Sequence, residues 1–393
     1  MTRKLVKVLA LLIAVCVPTE TPAQSGNPDE IVVGAVQAMK GVFAEAFVQI
    51  NDGLKDSLDM ANEQGGINGK RIVYRMKASD YSVDDSIQKF EELMRESQPI
   101  AVFGCSTDLG LKLADDINAK HKILYSSTSF SAELADSARY PSIFLPGPSY
   151  GEQVALLLMY IAKEQPNAKV AFFYSDSAFG KDPIKFGRIM ARRLRLKVVA
   201  EEMVPLKIQD VTAQARRLKE KDPDYVIFQG FVHAPVPAVI KQCRELGMKS
   251  KFMGTFWTAT KKMIDVLGPD AEGYLVVNPY AYWGMQDVPM IAKIREYNAK
   301  HYPGITYRPN YYMEGFATGL IFVEVLRRAD KAGDLNYNGL VKALHSLTDF
   351  QTQGLMAPLT IRNNRFPVAR IWKANVAAGQ YEPASDWLVL RKD

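Results

Sequence analysis

Two hydroxyl-rich stretches could hold an anion, and each follows a short apolar run. Ser106 and Thr107 follow the run at 100–103, and the same residue types recur at Ser127 and Thr128 after a second run. Neutral hydroxyls and free helix N–H groups at neighbouring strand ends bind anions without a metal or a cationic side chain. Ordinary helix caps and serine turns use the same residues, so both interpretations stay open at this point.

The segments around these hydroxyls show how they are positioned. Each apolar run is typical of a buried parallel strand that ends in a polar turn. Leu109, Leu113 and Ile117 recur at helical spacing after the first turn, and Thr107 or Asp108 is expected to cap that helix. Two such strands side by side would place both hydroxyl stretches at one edge of a sheet.

The sequence lacks the common catalytic and metal-binding motifs. The sequence has no G-x-S-x-G turn, no G-x-x-x-x-G-K-[ST] loop and no G-x-G-x-x-G after a strand. Its four histidines lack metal-ligand spacing, although His233 is placed where it could touch a ligand. Cys105 has no base near it in sequence. We therefore predict a protein that is not an enzyme and that needs no cofactor and no metal.

Length and composition predict a globular chain with two lobes. The 393 residues are 48% hydrophobic, which is enough for two cores. The net charge of +6 falls to +4 without residues 1–23, which hold three basic residues and one acidic residue. The densest basic cluster, 192–197, ends a helical pattern, so a solvated face explains it better than a nucleic-acid site. We predict no nucleic-acid partner.

Residues 1–23 resemble a cleaved export signal. Basic residues precede a short apolar centre, and Thr21-Pro22-Ala23 is a small-residue cleavage site. Val15 before Cys16 is bulkier than lipid-attachment sites usually accept. We therefore expect a periplasmic protein. Cys105 and Cys243 remain after cleavage, and their distance in sequence argues against a disulfide.

Strands and helices alternate through the rest of the chain in two successive series. Pro146-Gly147 and Asn278-Pro279 break the pattern and are typical of crossings between lobes. Such βα units predict an α/β fold with two Rossmann-like lobes, each built on a parallel sheet, and a hinge with three crossings. We predict lobe 1 at 24–146 plus 279–350 and lobe 2 at 147–278 plus 351–393. The ligand would lie between them.

Residues 61–70 resemble the segment after the first helix of type I periplasmic binding proteins. This stretch reads Ala-Asn-Glu-Gln-Gly-Gly-Ile-Asn-Gly-Lys. With the hydroxyl loops, the Phe179-Gly180 turn and the Gly379-Gln380-Tyr381 turn, the chain resembles the leucine/isoleucine/valine-binding branch throughout its mature length. These are receptors of branched-chain amino acid ABC transporters. The resemblance implies a small-molecule ligand and permease partners in the inner membrane.

The resemblance also implies which residues bind the ligand. Ser106 and Thr107 lie where the family holds the ligand carboxylate, and Ser127 and Thr128 lie in the second loop for the carboxylate and amino group. Phe179 takes the place of an aromatic residue that covers the ligand from the other lobe. The remaining predicted contacts near the opposite lobe and the mouth are Phe231, Trp257 and Tyr280.

One departure from the family concerns the ligand's ammonium group. The loop 255–258, where amino-acid receptors carry an acid, reads Thr-Phe-Trp-Thr, and Asp176 nearby is expected to cap a helix instead. A buried ammonium without a carboxylate costs several kcal/mol. The sequence therefore favours an organic acid with an apolar body over a branched-chain amino acid. Its ring-rich mouth fits that body: Phe179, Phe231, Phe256, Trp257, Tyr280 and Tyr282.

Three functional classes are compatible with these patterns. The leading one is a solute receptor that delivers a ligand to a membrane permease. The second is an exported enzyme that uses Cys105 or Asp176. The third is a sensory binding domain of the same fold, which would need a separate signalling partner.

Overall fold

The computed structural model of the chain describes four ranges of residues: 27–41, 43–205, 208–231 and 235–390. The predicted export segment and His233 lie outside the described residues. None of the described helices has the length and apolar composition needed to cross a bilayer.

The first sheet has five parallel strands. They are β1 (Glu30–Ala38), β2 (Arg71–Ser79), β3 (Ala101–Gly104), β4 (Leu124–Ser127) and β5 (Ile143–Phe144). Their order across the sheet is β2-β1-β3-β4-β5. β3 and β4 are neighbours, and Gly104 pairs with Ser127 in their register. The polar turns after these two strands therefore leave the sheet side by side.

The second sheet contains the other eight strands. They are β6 (Lys169–Ser175), β7 (Lys197–Val204), β8 (Tyr225–Gln229), β9 (Lys251–Gly254), β10 (Leu275–Asn278), β11 (Val368–Asn375), β12 (Gln380–Pro383) and β13 (Leu388–Val389). The order is β12-β11-β10-β9-β8-β6-β7, and β13 also pairs with β11. Strands β6 to β10 are parallel, whereas β11 is antiparallel to its neighbours. A short turn at Gly379 joins β11 to β12, and short turns join only antiparallel strands.

Twelve helices connect and cover the sheets in the part of the chain that the structure describes. They are α1 (Ala44–Glu63), α2 (Val83–Ser97), α3 (Thr107–Asp116), α4 (Tyr150–Glu164), α5 (Ala178–Lys181), α6 (Ile184–Arg193), α7 (Thr212–Lys221), α8 (Val236–Glu245), α9 (Lys261–Leu267), α10 (Pro289–His301), α11 (Asn310–Lys331) and α12 (Tyr337–His345). The predicted alternation of strands and helices is confirmed. The fold is the predicted α/β arrangement of two largely parallel sheets.

The glycine-rich turn after α1 has the predicted structural role. Gly65 and Gly66 have φ of 94° and 66°, and the Gly66 N–H donates to the Ala61 carbonyl at 2.9 Å. A Cβ atom on Gly66 would lie 2.1 Å from the Lys70 carbonyl oxygen. Only glycine allows this helix end to turn directly into β2.

Helix α11, from the second half of the chain, packs closely on α1 of the first half. A Cβ atom on Gly315 would lie 1.8 Å from the Ile50 carbonyl oxygen, and one on Gly53 would lie 2.0 Å from the Tyr312 carbonyl oxygen. Glycines at these positions let the two backbones approach. This contact brings the start of α11 next to the first half of α1, which follows the carboxyl end of β1.

The chain passes between the sheets through three neighbouring segments. The Tyr280 hydroxyl donates to the Pro146 carbonyl at 3.1 Å, which joins the first two crossings. The Ala281 N–H donates to the Leu355 carbonyl at 2.8 Å, which joins the second to the third. These contacts agree with the predicted hinge of three crossings.

Candidate functional site

The two hydroxyl loops meet at the carboxyl ends of β3 and β4. The Ser106 N–H donates to Thr128 Oγ1 at 3.0 Å, and the Ser127 hydroxyl donates to the Ser106 carbonyl at 3.1 Å. The hydroxyl oxygens of Thr107 and Ser129 are 2.8 Å apart. All five residues are buried. Hydroxyls that are far apart in sequence therefore form one hydrogen-bonded network at the start of α3.

Ser106, rather than Thr107 or Asp108, caps α3. Its hydroxyl accepts the Leu109 N–H at 3.2 Å. The prediction was wrong by one or two residues because Thr107 and Asp108 already lie in the first helical turn. Ser106 also has φ of 63° and ψ of 155°, a region that costs a non-glycine residue about 1–3 kcal/mol. Residues with such strain cluster at active sites, ligand clamps and switch regions.

Aromatic rings from both halves of the fold meet opposite these loops. The Trp257 ring centroid lies 6.2 Å from that of Phe179 and 6.0 Å from that of Phe231, so the predicted rings after the second sheet are neighbours. Phe43, which precedes α1, lies 4.5 Å from Phe231. Phe47 lies 6.2 Å from Trp257. We call these five residues the ring cluster, and their contacts join the two halves of the fold.

A small cavity separates the hydroxyl loops from the ring cluster. Its volume is about 20 Å³, which is room for about one water molecule. A ligand of amino-acid size therefore enters only if the rings move apart. The lining combines hydroxyls with rings: Phe43, Phe47, Tyr81, Ser106, Thr107, Thr128, Tyr150, Phe179 and Trp257.

Three predicted site residues lie outside this lining. The Ser127 hydroxyl donates to the Ser106 carbonyl, and the Phe231 ring packs against that of Phe43. Tyr280 is fully buried and donates its hydroxyl to a crossing segment, with its ring centroid 5.7 Å from that of Phe256. These residues support the cavity walls in the described conformation.

Four lining residues were not predicted from the sequence. Tyr81 lies two residues after the end of β2, just as Ser106 lies two residues after β3, so the rule that singled out Ser106 could also have found it. Tyr150 begins α4 just after a crossing. Phe43 and Phe47 lie at the start of α1, where a sequence offers little to distinguish a lining ring from a core ring.

The expected role of Asp176 was wrong. Ser177 occupies the cap position of α5, and its hydroxyl accepts the Gly180 N–H at 3.1 Å. Asp176 lies one residue further from the helix and pairs with Lys181 on the surface. The loop 255–258 carries no acid and contains a short 3₁₀ turn. Neither segment supplies a carboxylate to the cavity.

The described cysteines are buried and unpaired. Cys105 Sγ lies 3.8 Å from the Ser79 hydroxyl and 3.7 Å from that of Ser86, and burial raises the pKa of the Cys105 thiol. Cys243 is also buried, and the two described cysteines are not joined to each other. A buried thiol with a raised pKa is a poor nucleophile. Within the described ranges, no three side chains of metal-ligating type are grouped to hold an ion.

Comparison with known proteins identifies the family. A family model described as periplasmic binding protein matches residues 30–380. The chain belongs to this periplasmic binding protein family. It is 23% identical to the Leu/Ile/Val/Thr-binding protein of Salmonella typhimurium over 266 residues, which are 65% of this chain and 69% of that protein. It is 20% identical to the Leu/Ile/Val-binding protein homolog 3 of Brucella melitensis biotype 1 over 325 residues, 82% and 85% of the two chains. The predicted resemblance is confirmed.

Solved structures of periplasmic binding proteins share the fold. The branched chain amino acid ABC transporter protein of Thermus thermophilus, determined with bound valine, has a TM-score of 0.84 at 24% identity and covers 92% of this chain and 97% of its own. The fatty acid ABC transporter substrate-binding protein of Thermomonospora curvata has a TM-score of 0.78 at 18% identity and covers 92% of each chain. The same fold thus occurs in proteins whose ligand classes differ.

Proposed function

We propose that this periplasmic binding protein is a solute receptor that encloses a small carboxylate-bearing ligand between its two lobes. One observation carries the proposal: buried hydroxyls at the start of α3 face a ring cluster drawn from both halves of the fold. Hydroxyls and helix N–H groups suit a carboxylate, and rings suit an apolar body. The proposed ligand-binding residues are Ser106, Thr107, Ser127, Thr128, Phe179, Phe231, Trp257 and Tyr280.

We further propose that the receptor acts in the periplasm with the permease of an ABC importer. Relatives named for binding Leu, Ile and Val and neighbours named as ABC transporter proteins support this assignment. Residues 1–23 would direct export. In this role the chain would bind the ligand and deliver it to the permease, and it would catalyse no reaction.

The alternative classes have less support. The relatives are substrate-binding transport proteins, and we propose that this chain is likewise not an enzyme. Cys105 is buried and Asp176 is paired on the surface, and neither candidate nucleophile is among the residues that line the cavity. A sensory domain would use the same ligand site, and transport assays with an ABC permease would separate these two roles.

A screen for stabilising ligands tests the proposal. Purified protein without residues 1–23 would be heated with amino acids, aromatic acids, aliphatic acids and amides. A ligand that binds only the folded state adds about 2.7 kcal/mol to the free energy of unfolding when its concentration is a hundredfold above Kd. The unfolding temperature therefore rises. We expect at least one carboxylate to stabilise the protein and the matched amide not to. Equal stabilisation by acid and amide would contradict a carboxylate site.

Replacing Thr128 tests the proposed carboxylate contact. We expect Thr128→Ala to weaken binding of the stabilising carboxylate about tenfold to thirtyfold, or about 1–2 kcal/mol, because it removes one neutral donor and frees the Ser106 N–H. Calorimetric titration measures the change. Ser126→Ala is the matched control, since the Ser126 hydroxyl donates to the Phe144 carbonyl at 2.9 Å. Wild-type affinity in alanine variants of all four hydroxyl residues would remove these loops from the site.

We propose that ligand binding closes two lobes, with lobe 1 at 24–146 plus 279–350 and lobe 2 at 147–278 plus 351–393. The described conformation leaves only about 20 Å³ beside the hydroxyls, so an open form is needed for ligand entry. We expect small-angle scattering to show a smaller radius of gyration with saturating ligand than without it. An unchanged radius at saturation would contradict closure.

Asp182 links closure to pH. The Ser131 hydroxyl, on the other proposed lobe, donates to Asp182 Oδ2 at 2.6 Å. Burial raises the pKa of Asp182 to about 6, and Glu133 adds to this, although hydrogen bonds from Ser131 and the Ala132 N–H lower it. In an open form the carboxyl would regain water and its ordinary pKa of 3.8. The closed form therefore binds the proton more tightly, and acid favours closure between about pH 6 and pH 4.

The expected result is a pH dependence that Asp182→Asn removes. Between pH 7 and pH 5, ligand affinity of the wild type should rise roughly tenfold relative to that of the variant, since the closed form takes up a proton as the pH falls through about 6 while the open form does not. Affinities of both proteins are measured by calorimetry at each pH. Their ratio is independent of the titration of the ligand itself, because the ligand titrates identically in both measurements. Parallel pH profiles for the two proteins would contradict the role of Asp182.

A further inference from the structure

A second cavity lies between helices α1, α10 and α11, and the segment 350–353 forms its fourth wall. We call it the helix pocket. None of the described residues that line it also lines the cavity beside the hydroxyl loops. Its volume is about 150 Å³, and a cavity of this size holds a molecule about as large as benzene. The helix pocket therefore has room for a small molecule in the described conformation.

Apolar side chains from the three helices form most of the helix pocket. Met60 and Ala61 come from α1, Met290 comes from α10, and Phe316 and Val323 come from α11. The spacing of the lining residues along α1 and α11 puts them on one face of each helix. Pockets for small molecules are lined in this way, with apolar walls and a few polar groups that orient the ligand.

One wall of the helix pocket holds a buried hydroxyl without a partner. Ser57 is 2% exposed, and its hydroxyl oxygen has no hydrogen-bond partner among the described residues. Its side chain lies against α11, where a Cβ atom on Gly319 would lie 2.7 Å from the Ser57 hydroxyl oxygen. Buried polar atoms without a partner are rare in native proteins. Because Ser57 lines the helix pocket, a molecule bound there can be its partner.

The charged residues that line the helix pocket are all cationic. They are Lys293 and Arg327, and within the described ranges no acidic side chain lines the pocket. Glu324 lies 3.3 Å from one terminal nitrogen of Arg327, but this pair is partly exposed and leaves other Arg327 N–H groups free to donate. A lining with two cations and no acid is complementary to an anion.

The unpartnered hydroxyl and the Arg327 cation are separated along the pocket. Helices α1 and α11 run in the same direction, since Gly53 lies beside Tyr312 and Ser57 lies beside Gly319. Arg327 comes eight residues after Gly319, which is about 12 Å along the axis of α11. The Arg327 side chain leans back toward the start of the helix and covers part of this distance. An unbranched chain of about six carbon atoms spans the rest, and the pocket has room for it.

We propose that the helix pocket is a second ligand site, separate from the cavity beside the hydroxyl loops, and that it binds a small hydroxycarboxylic acid. The ligand carboxylate lies beside Arg327 and Lys293, its carbon chain packs against Met60 and Met290, and its hydroxyl group pairs with that of Ser57. Because the segment 350–353 forms one wall, the bound ligand contacts the chain where it leads into the third crossing. This inference does not depend on the proposed receptor function.

Methionine signals report which site a ligand occupies. Met60 and Met290 line the helix pocket, whereas Met159 and Met190 line the large groove beside Asp182. The described lining of the cavity beside the hydroxyl loops contains no methionine. In protein with labelled methionine methyl groups, NMR titration therefore distinguishes the three sites. Single Met→Leu variants assign the signals.

Three matched compounds test the proposed ligand chemistry in the wild-type protein. They are 6-hydroxyhexanoate, hexanoate, which lacks the hydroxyl group, and 6-hydroxyhexanamide, which lacks the charge. We expect 6-hydroxyhexanoate to shift the Met60 and Met290 signals with a Kd on the order of 0.1–1 mM, since so small a ligand reaches only modest affinity. Hexanoate should bind about fivefold more weakly because it loses one hydrogen bond. The amide should bind at least about tenfold more weakly because it loses the charge.

Variants assign each preference to its residue. Ser57→Ala should lower the affinity for 6-hydroxyhexanoate to that for hexanoate, and should change the affinity for hexanoate less than about twofold. Ser86→Ala is the matched control, because Ser86 is also a buried helical serine but lies outside the lining. Replacing both Lys293 and Arg327 with glutamine should weaken carboxylate binding about tenfold and leave amide binding unchanged. Lys241→Gln, at an exposed position of α8, should change nothing.

A pocket that holds only water makes different predictions. In that case no compound would shift the Met60 and Met290 signals to saturation, and the proposal would be overturned. Equal affinities for all three compounds, or wild-type affinities in both the serine variant and the double variant, would also overturn it. Shifts confined to Met159 and Met190 would place binding in the groove instead. Thermal unfolding checks that each variant is folded, and none of these results bears on the hydroxyl loops.

Discussion

Replacing Trp257 with alanine is expected to weaken ligand binding about 30-fold to 1000-fold, or about 2–4 kcal/mol, which is the effect of removing a central aromatic anchor. The Trp257 ring lies between rings of both lobes, and its centroid is 5.6 Å from that of Tyr311. Its Nε1–H also donates to the Tyr150 hydroxyl at 3.0 Å, which ties two cavity-lining residues together. Calorimetric titration with the stabilising carboxylate measures the loss.

A matched control separates binding from folding. Trp283→Ala makes the same chemical change at a partly exposed ring outside the cavity, where Arg295 lies over the ring at 5.6 Å. We expect this control to keep wild-type affinity. A folded Trp257→Ala variant that also keeps wild-type affinity would show that the ring cluster does not enclose the ligand.

Replacing Arg308 with methionine is expected to lower the free energy of unfolding by about 3–5 kcal/mol, because it leaves a buried carboxylate without its cation. Arg308 is 1% exposed and contacts the carboxylates of Asp52 at 2.9 Å and Asp56 at 3.6 Å. Asp56 also accepts the hydroxyls of Tyr302 and Tyr312. Burial raises the pKa of Asp56 despite these partners, so loss of the cation leaves its charge poorly compensated. Urea unfolding measures the change.

Two variants test this explanation. Arg139→Met removes an exposed partner of Asp115 and should cost less than about 1 kcal/mol. Adding Asp56→Asn to Arg308→Met removes the unpaired charge and should recover part of the lost stability. A cost for Arg308→Met no larger than that of Arg139→Met would show that the buried pair does not hold the start of α11 in place.

The sequence predicted the hydroxyl half of the site because strand order and residue type act together there. β3 and β4 are neighbouring parallel strands, so the residues after each strand must lie at one edge. The predicted helix caps were wrong, because a shift of one residue decides which side chain caps a helix. Ser106 and Ser177 are the caps, and a sequence pattern does not distinguish them from the adjacent Thr107 and Asp176.

The ring half of the site was only partly predictable. Phe179 and Trp257 follow strands of the second sheet, and both line the cavity. Tyr280 also follows such a strand, but its hydroxyl binds a crossing segment. Phe43 and Tyr150 reach the cavity through the packing of the two halves, which local patterns do not encode.

Glu314 is a fully buried acid on α11 whose carboxyl oxygens accept no hydrogen bond from a described residue, and it was beyond the reach of local patterns for a different reason. It lies 186 residues after Thr128, within a long helix in which an acid is ordinarily solvated. Its burial follows from the glycine contact of Gly315 with α1, which draws that turn of α11 into the interior. Only the packed structure shows that the carboxyl has no partner.

A crystal structure of the protein with the tightest-binding carboxylate from the screen tests the central proposal most directly. We predict that the ligand carboxylate lies about 2.7–3.2 Å from donors of Thr107 and Thr128, with its body against Phe179 and Trp257. A contradictory result would place the ligand in the larger groove of about 1070 Å³ beside Asp182, with the hydroxyl loops and the ring cluster unchanged.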